Sequence, residues 1–246
     1  MPKQLTVHFL PELTSQEKLA GDTVVVIDVL RASTTICFAL AAGAKEVIPC
    51  LEVSDAREMA RKVADGVILG GERNGEMIEG FDVGNSPREY VEDVVGGKTV
   101  VFTTTNGTRA LRRCVGAGEI LIGGFVNIAA VAEALASAEQ AHLLCAGTDG
   151  NVTREDVLLA GAIAEIMMLR HLSLTINDQA QIAIDAWQAV TGGIHDIPTI
   201  IRCLKASSGG RNLAAIGHEG DIRLAAALNM VPVVPRLDRK DWRIRL

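Results

Sequence analysis

The sequence predicts an α/β fold: a mainly parallel sheet with flanking helices and a helix-rich C-terminal third. Three observations predict it. Apolar, β-branched runs alternate with helix-length segments from Thr23 to Ala146, the pattern of βαβ units. Those runs are continuous, as in strands covered on both faces. From Thr153 onward the strand signals stop and helical stretches follow one another. The whole chain, 1–246, is read as a single α/β domain. Residues 147–152 mark the place where a subdivision would fall.

Thr23–Val29 is the first strand. Ala32–Ala42 follows as a helix that Gly43 is placed to end, then Glu46–Pro49 as a strand. Ser54–Ala64 is a helix, with Ser54 as N-cap. Val67–Gly70 is a strand that runs out at Gly71-Glu72-Arg73. Ser86-Pro87-Arg88-Glu89 reads as a capping box with proline at the first helical position, opening a helix to about Val94. Thr99–Thr104 is a strand, Thr108–Val115 a helix, Ile120–Ile122 a strand, Ala129–Ala138 a helix and His142–Ala146 a strand. The C-terminal third holds helices over Thr153–Leu169, Asp178–Val190, Ile197–Ala206 and Glu219–Leu228. Ser207–Arg211 reads as a polar loop, either a lid or a linker.

Aromatics make up only 3% of the chain, too few for base stacking on aromatic platforms. The net charge of −6 argues against a general nucleic-acid binder. An acidic protein that binds an anion must gather its arginines locally. Cys37, Cys50, Cys114, Cys145 and Cys203 are scattered through apolar stretches with no C-x-x-C pair. They read as buried, reduced thiols, with a catalytic thiol as the alternative. The N-terminus has no charged leader before an apolar run, and no apolar stretch is long enough to span a bilayer. The sequence thus predicts a cytoplasmic protein without membrane or nucleic-acid partners.

In an open α/β sheet, ligands bind beyond the carboxyl ends of the strands. Four expected strand ends here are polar: Asp28 with Arg31; Glu72 with Arg73; Thr103 to Asn106; and Thr148 with Asp149. A parallel sheet would bring them to one edge. Asp28 follows four apolar residues, so its carboxylate must pair, accept hydrogen bonds or bind a metal. A structural pair with Arg31 and a catalytic or metal role are both open. Ser33, Thr34 and Thr35 are helix caps, phosphate ligands, or both. Glu72, Glu79 and Asp82 lie on a glycine-rich connection, where hard oxygen ligands suit Mg²⁺ or simply face water. Asn106-Gly107-Thr108 is a turn and cap at the least, and Arg109 is a natural bidentate partner for phosphate oxygens. Asp156 fits a helix-start cap, whereas Glu155 lacks that explanation. His218, beside Glu219 and Asp221, is an acid/base candidate or a surface residue. No G-x-x-x-x-G-K-[ST] run occurs. An aspartyl-phosphate phosphatase would carry a second aspartate where Leu30 stands.

Several ordered motifs carry a more specific signal. I-D-V-L-R-A-S-T-T (27–35), G-E-R-N-G (71–75), E-G-F-D-V-G-N-S-P (79–87), T-T-T-N-G-T-R-A-L (103–111), C-A-G-T-D-G (145–150), E-D-V-L-L-A-G-A (155–162), S-S-G-G-R-N-L (207–213) and G-H-E-G-D-I (217–222) together resemble the 2-phosphosulfolactate phosphatase family. Gly220 stands where many members carry an acid. The resemblance implies Mg²⁺-dependent hydrolysis of 2-phospho-3-sulfolactate to 3-sulfolactate and phosphate, a step of coenzyme M biosynthesis in organisms that make that cofactor. A phosphatase or lyase for another phosphorylated hydroxy acid, and a non-catalytic anion-binding protein, are the alternatives. Combined with the residue reading, it makes Asp28, Arg31, Glu72 and Arg109 the expected catalytic residues. Ser33, Thr34, Arg73, Asn85, Ser86, Thr104, Thr105, Asn106, Gly107, Thr108 and Arg211 are expected to bind the small anionic phosphorylated substrate. Asp28, Glu72 and Asp82 are the expected Mg²⁺ ligands. A homodimer is expected.

Overall fold

The computed structural model describes residues 2–63, 66–192 and 196–246. The strands are β1 Gln4–His8, β2 Thr23–Ile27, β3 Glu46–Cys50, β4 Val67–Arg73, β5 Glu76–Met77, β6 Thr99–Thr103, β7 Glu119–Gly123, β8 Gln140–Cys145, β9 Thr175–Ile176, β10 Arg236–Asp238 and β11 Arg243–Arg245. The helices are α1 Ala32–Ala41, α2 Val53–Lys62, α3 Glu92–Val95, α4 Gly107–Arg113, α5 Ile128–Leu135, α6 Arg154–Arg170, α7 Asp178–Thr191, α8 Ile197–Lys205, α9 Ser208–Ala215 and α10 Glu219–Ala225.

The expected parallel sheet is present in two groups. β4, β6 and β3 pair in parallel, as do β7, β2, β8, β1 and β9. The β10–β11 hairpin lies between the groups and is antiparallel to both neighbours. Each junction is a single residue pair, Arg236 with Leu121 and Ile244 with Val47. The groups are therefore joined by a narrow strip of sheet, across which strand direction reverses. Glu46 clips the hairpin in place. Its buried carboxylate accepts hydrogen bonds from Arg243, Arg245 and Thr99. Burial opposes its ionisation, but Arg245 and Arg243 hold its carboxyl below the ordinary value.

β2 explains why its sequence is apolar without alternation. Val25 and Ile27 enter one core, shared with Leu143, Ile163 and Trp187. Val24 and Val26 enter the other, shared with Leu40, Val100 and Leu111. Burying such side chains on both faces contributes about 1.5–3 kcal/mol each relative to exposure. Between β1 and β8, His8 Nε2 lies 3.0 Å from His142 Nδ1, and His142 Nε2 lies 3.1 Å from Asp22 Oδ2. Burial, followed by the neighbouring His142, pushes His8 down to about 4. All five cysteines are free and buried, as expected. Among the described residues, no helix is long and apolar enough to cross a membrane.

Several local expectations change. β1, β5, β9, β10 and β11 are additional strands: β1 is a full five-residue strand ahead of the first expected one, β5 and β9 have two residues each, and β10 and β11 have three, rich in charge. α2 starts at Val53 with Glu52 at the N-cap, one residue before the expected start; its expected last residue, Ala64, lies outside the described residues. The Ser86–Glu89 capping box does not form. Ser86 donates instead to Asp221 Oδ1 at 2.7 Å, and the Glu89 carboxylate accepts from the Gly84 N–H. The segment is a 3₁₀ turn over Pro87–Glu89, and the short α3 follows separately. Ser207–Arg211 is the capped start of α9, with the Gly210 N–H donating to Ser207 Oγ at 3.0 Å.

Candidate active site

The polar strand ends converge. Asp28 and Arg31 after β2, Glu72 on β4, Thr104, Thr105 and Asn106 after β6, and Thr148 and Asp149 after β8 all line one cavity of about 410 Å³. Leu30, Asn74, Gly75 and Asn85 also line it, together with Ser208, Gly209, Asn212 and Leu213 of α9. The two parallel groups thus present their carboxyl ends to the same space.

Asp28 is held by the turn that carries it. Its N–H donates to Ser33 Oγ at 2.9 Å, and the Ala32 N–H donates to Asp28 Oδ1 at 3.2 Å. Ser33 also donates to the Val26 carbonyl at 3.3 Å, and Thr34 to the Val29 carbonyl at 2.8 Å. These two hydroxyls therefore close the strand-to-helix turn and lie outside the cavity lining. Thr35 donates to the Asn85 carbonyl at 2.9 Å, which ties the Asn85 loop to α1. Asn85 Oδ1 is buried and has no hydrogen-bond partner. An orphaned buried acceptor in a cavity wall costs free energy unless a ligand supplies its donor.

Glu72 accepts the Gly75 N–H at 2.7 Å on one oxygen and the Thr105 N–H at 3.1 Å on the other. It thereby bridges the ends of β4 and β6. Burial, then the negative charges of Glu72 and Glu155, push Asp28 up to about 7, against the Ala32 N–H and Arg31. Behind Asp28 lie Glu155 and Asp156, both buried. Asp156 accepts the Val29 N–H at 2.9 Å and the Gly147 N–H at 3.0 Å. It thus performs a structural task, though one between strand ends instead of the expected cap on its own helix. Burial, then Asp28 and Glu155, raise its carboxyl well above the ordinary range. Burial also raises Glu155, whose Oε2 has no partner. A Cβ on Gly209 would lie 2.3 Å from Glu155 Oε1, so a larger residue there would have to displace this buried carboxylate.

Arg31 does not pair with Asp28. Its Nη1 donates to Asp221 Oδ2 at 2.7 Å and its Nη2 to the Gly75 carbonyl at 2.8 Å. The sequence places Asp221 beside His218 within the 217–222 motif, but carries no sign of this partnership across 190 positions. Asn74, Asn212 and Leu213 are further lining residues; they lie within the 71–75 and 207–213 motifs, but none of them is among the expected site residues.

Other expected residues lie elsewhere. Arg73 donates to the Glu72 and Leu51 carbonyls at 2.7 and 2.8 Å and to Thr103 Oγ1 at 3.0 Å, a structural tie outside the lining. Asp82 is exposed and accepts the Leu69 N–H at 2.8 Å, so it is not brought to Asp28 and Glu72. Arg109 is exposed on the first turn of α4, outside the lining. Arg211 is exposed and folds back on its own helix, donating to the Ala206 carbonyl and to Ser208 Oγ. Thr108 is buried with its hydroxyl 3.5 Å from Thr104 Oγ1. Gly107 is the close-contact point between α4 and Asp28. Ser86 is bound to Asp221, behind the cavity wall.

A family model described as 2-phosphosulpholactate phosphatase matches residues 8–240. Similar curated proteins carry the name "Probable 2-phosphosulfolactate phosphatase". One from Symbiobacterium thermophilum is 42% identical over 89% of this chain and 92% of its own length. One from Caldanaerobacter subterraneus subsp. tengcongensis is 40% identical over 89% of each chain. One from Thermotoga petrophila is 40% identical over 87% of this chain and 88% of its own.

Proposed function

The chain belongs to the 2-phosphosulfolactate phosphatase family, an enzyme family of phosphoric monoester hydrolases, and from that premise we propose that it hydrolyses 2-phospho-3-sulfolactate to 3-sulfolactate and phosphate with Mg²⁺. The observation that carries the reading is the charge balance of the cavity. Its lining holds the carboxylates of Asp28, Glu72 and Asp149 and one cationic side chain, Arg31. A substrate bearing phosphate, carboxylate and sulfonate would be repelled from such a lining without a cation. The donor set fits a hard divalent ion, since Asp28, Glu72 and the unpartnered Asn85 Oδ1 are all oxygen ligands. Among the described residues no three His, Cys, Asp or Glu side chains form a metal cage. Mg²⁺ does not need one, because it retains waters and takes substrate phosphate oxygens as ligands.

Asp28 and Glu72 would hold the ion, which when bound supplies charge neutralisation at the phosphoryl oxygens. Asp82, exposed and engaged with the Leu69 N–H, has no part in this ligand set. The chain's own residues do the rest. Arg31 presents its remaining N–H groups to substrate oxygens from a fixed orientation. Thr104 and Asn106 provide donors at the end of β6, where charge on the transferring group is stabilised. The α9 wall, with Gly209 over Glu155, excludes bulk water from the buried carboxylates. A purely anion-binding protein would gather cations in excess; carboxylates in excess support the hydrolytic reading.

The test is phosphate release from 2-phosphosulfolactate, with Mg²⁺ and then with chelator. Rapid release that the chelator abolishes is expected. Release that survives exhaustive chelation would remove the Mg²⁺ assignment. No release, from folded protein supplied with Mg²⁺, would remove the substrate, and a panel of other phosphorylated hydroxy acids would then identify the one turned over.

A further inference from the structure

Arg31 is the one cationic side chain lining the cavity among the described residues, and both its terminal nitrogens are already engaged. Nη1 donates to Asp221 Oδ2 and Nη2 to the Gly75 carbonyl. Asp221 lies on α10, fully buried and outside the cavity lining. Its other oxygen accepts the Ser86 hydroxyl at 2.7 Å, which fixes the plane of the carboxylate. His218 Nδ1 approaches Oδ2 from the surface side at 3.4 Å.

We propose that Asp221 is a positioning residue for the phosphatase reaction: anchored by Ser86, it sets the Arg31 guanidinium in the orientation that meets the substrate's anionic groups. The inference rests on the phosphatase reading above. A guanidinium has five N–H donors, so two engaged on the inner edge leave three in a fixed fan. A buried ion pair adds little stability over an apolar pair of the same volume. Its value here is orientation, because a freely rotating arginine would lose entropy and alignment at each binding event. Asp221 touches neither substrate nor reacting atoms; it acts through Arg31.

A double-mutant cycle tests this. Asp221→Asn, Ser86→Ala and Arg31→Met are made singly, and each of the first two is combined with Arg31→Met. Two quantities are read: kcat and KM for 2-phosphosulfolactate, and the dissociation constant for inorganic phosphate. With Arg31 present, Asp221→Asn is expected to lower kcat/KM by ~10–100-fold and Ser86→Ala by ~3–10-fold, with weaker phosphate binding in parallel. With Met at position 31, each added change should alter both quantities less than ~2-fold, because nothing remains to be positioned. Equal losses in the two backgrounds would overturn the proposal. If Asp221→Asn leaves Arg31 uncompensated and does not fold, the Ser86→Ala cycle decides the same question. If Arg31→Met abolishes turnover, phosphate affinity completes the cycle. A wild-type enzyme that binds phosphate without turning over the ester would end the phosphatase reading, while the binding cycle would still decide the role of Asp221.

Discussion

The Cβ that Gly107 lacks would sit 2.9 Å from Asp28 Oδ2 and 2.8 Å from the Ala32 methyl. The start of α4 therefore rests directly on the carboxylate, with Thr104 Oγ1 also within 3.2 Å of that position. Gly107→Ala must push Asp28 or the Thr104 loop out of place. Overpacking of this kind costs ~1–3 kcal/mol, and displacement of a reacting group by an ångström costs ~10²-fold in rate. Steady-state kinetics beside a thermal melt check this; full turnover in the alanine variant would show that the contact is not needed.

Asp28 itself trades stability against activity. Its folded-state value, about 7, lies above the ordinary 3.8. In the metal-free protein its contribution is thus fully present below about pH 4 and is lost as pH rises through 7. Asp28→Asn keeps an acceptor for the Ala32 N–H and removes the buried charge. At pH 8, with chelator, the variant should be more stable than wild type by ~2–4 kcal/mol. It should also have lost phosphate release. Denaturant melts at pH 5 and pH 8 give the comparison, and a variant no more stable at pH 8 would contradict it.

His8 predicts the opposite slope. Its value falls from 6.5 to about 4 on folding, so the stability it contributes is present above 6.5 and lost as pH falls through 4. The wild type should lose ~2–3 kcal/mol between pH 7 and pH 4 from this group alone. His8→Gln can keep a hydrogen bond to His142 without titrating. Urea midpoints across that range should fall less steeply in the variant, and parallel curves would assign the acid lability elsewhere.

Glu46→Ala should loosen the hairpin. It leaves Arg243 and Arg245 without their buried partner and frees the Thr99 hydroxyl. Both arginines are partly exposed, so the cost should fall below that of a fully buried pair, at ~1–3 kcal/mol. Hydrogen exchange should rise first at β10 and β11. Unchanged protection there would mean that the hairpin is held by its apolar residues, Leu237 and Ile244.

What is legible in the sequence follows from range. Asp28 stands out because a carboxylate after four apolar residues demands a reason, and Glu72 and Thr104–Asn106 because they too end apolar runs. These are local signals, and the cavity gathers all of them. The Arg31–Asp221 pair spans 190 positions and has no local signature. Arg73 and Asp82 resemble ligands because their residue types suit anions and metals, but neighbouring backbone groups engage them first. The strands β10 and β11 escape sequence reading because three-residue segments such as Arg236–Asp238, rich in charge, lack a usable period. Ser207–Arg211 has the composition of a loop because its paired glycines outweigh its serine cap.

The placement of the β10–β11 hairpin has a kinetic consequence. Arg243 meets Glu46 across 197 positions, and Arg236 meets Glu119 across 117. The entropy of closing such loops grows only logarithmically with length, so equilibrium stability is little affected, whereas folding slows as contacts become more distant in sequence. One side of the cavity comes from β4 and β6 and the other from β2 and β8, and the sheet between them is complete only when residues synthesised after both have docked. The cavity-lining residues, from Asp28 to Leu213, are all synthesised before the hairpin that joins the two parallel groups, so this strip of sheet closes after the residues it holds in register have been made.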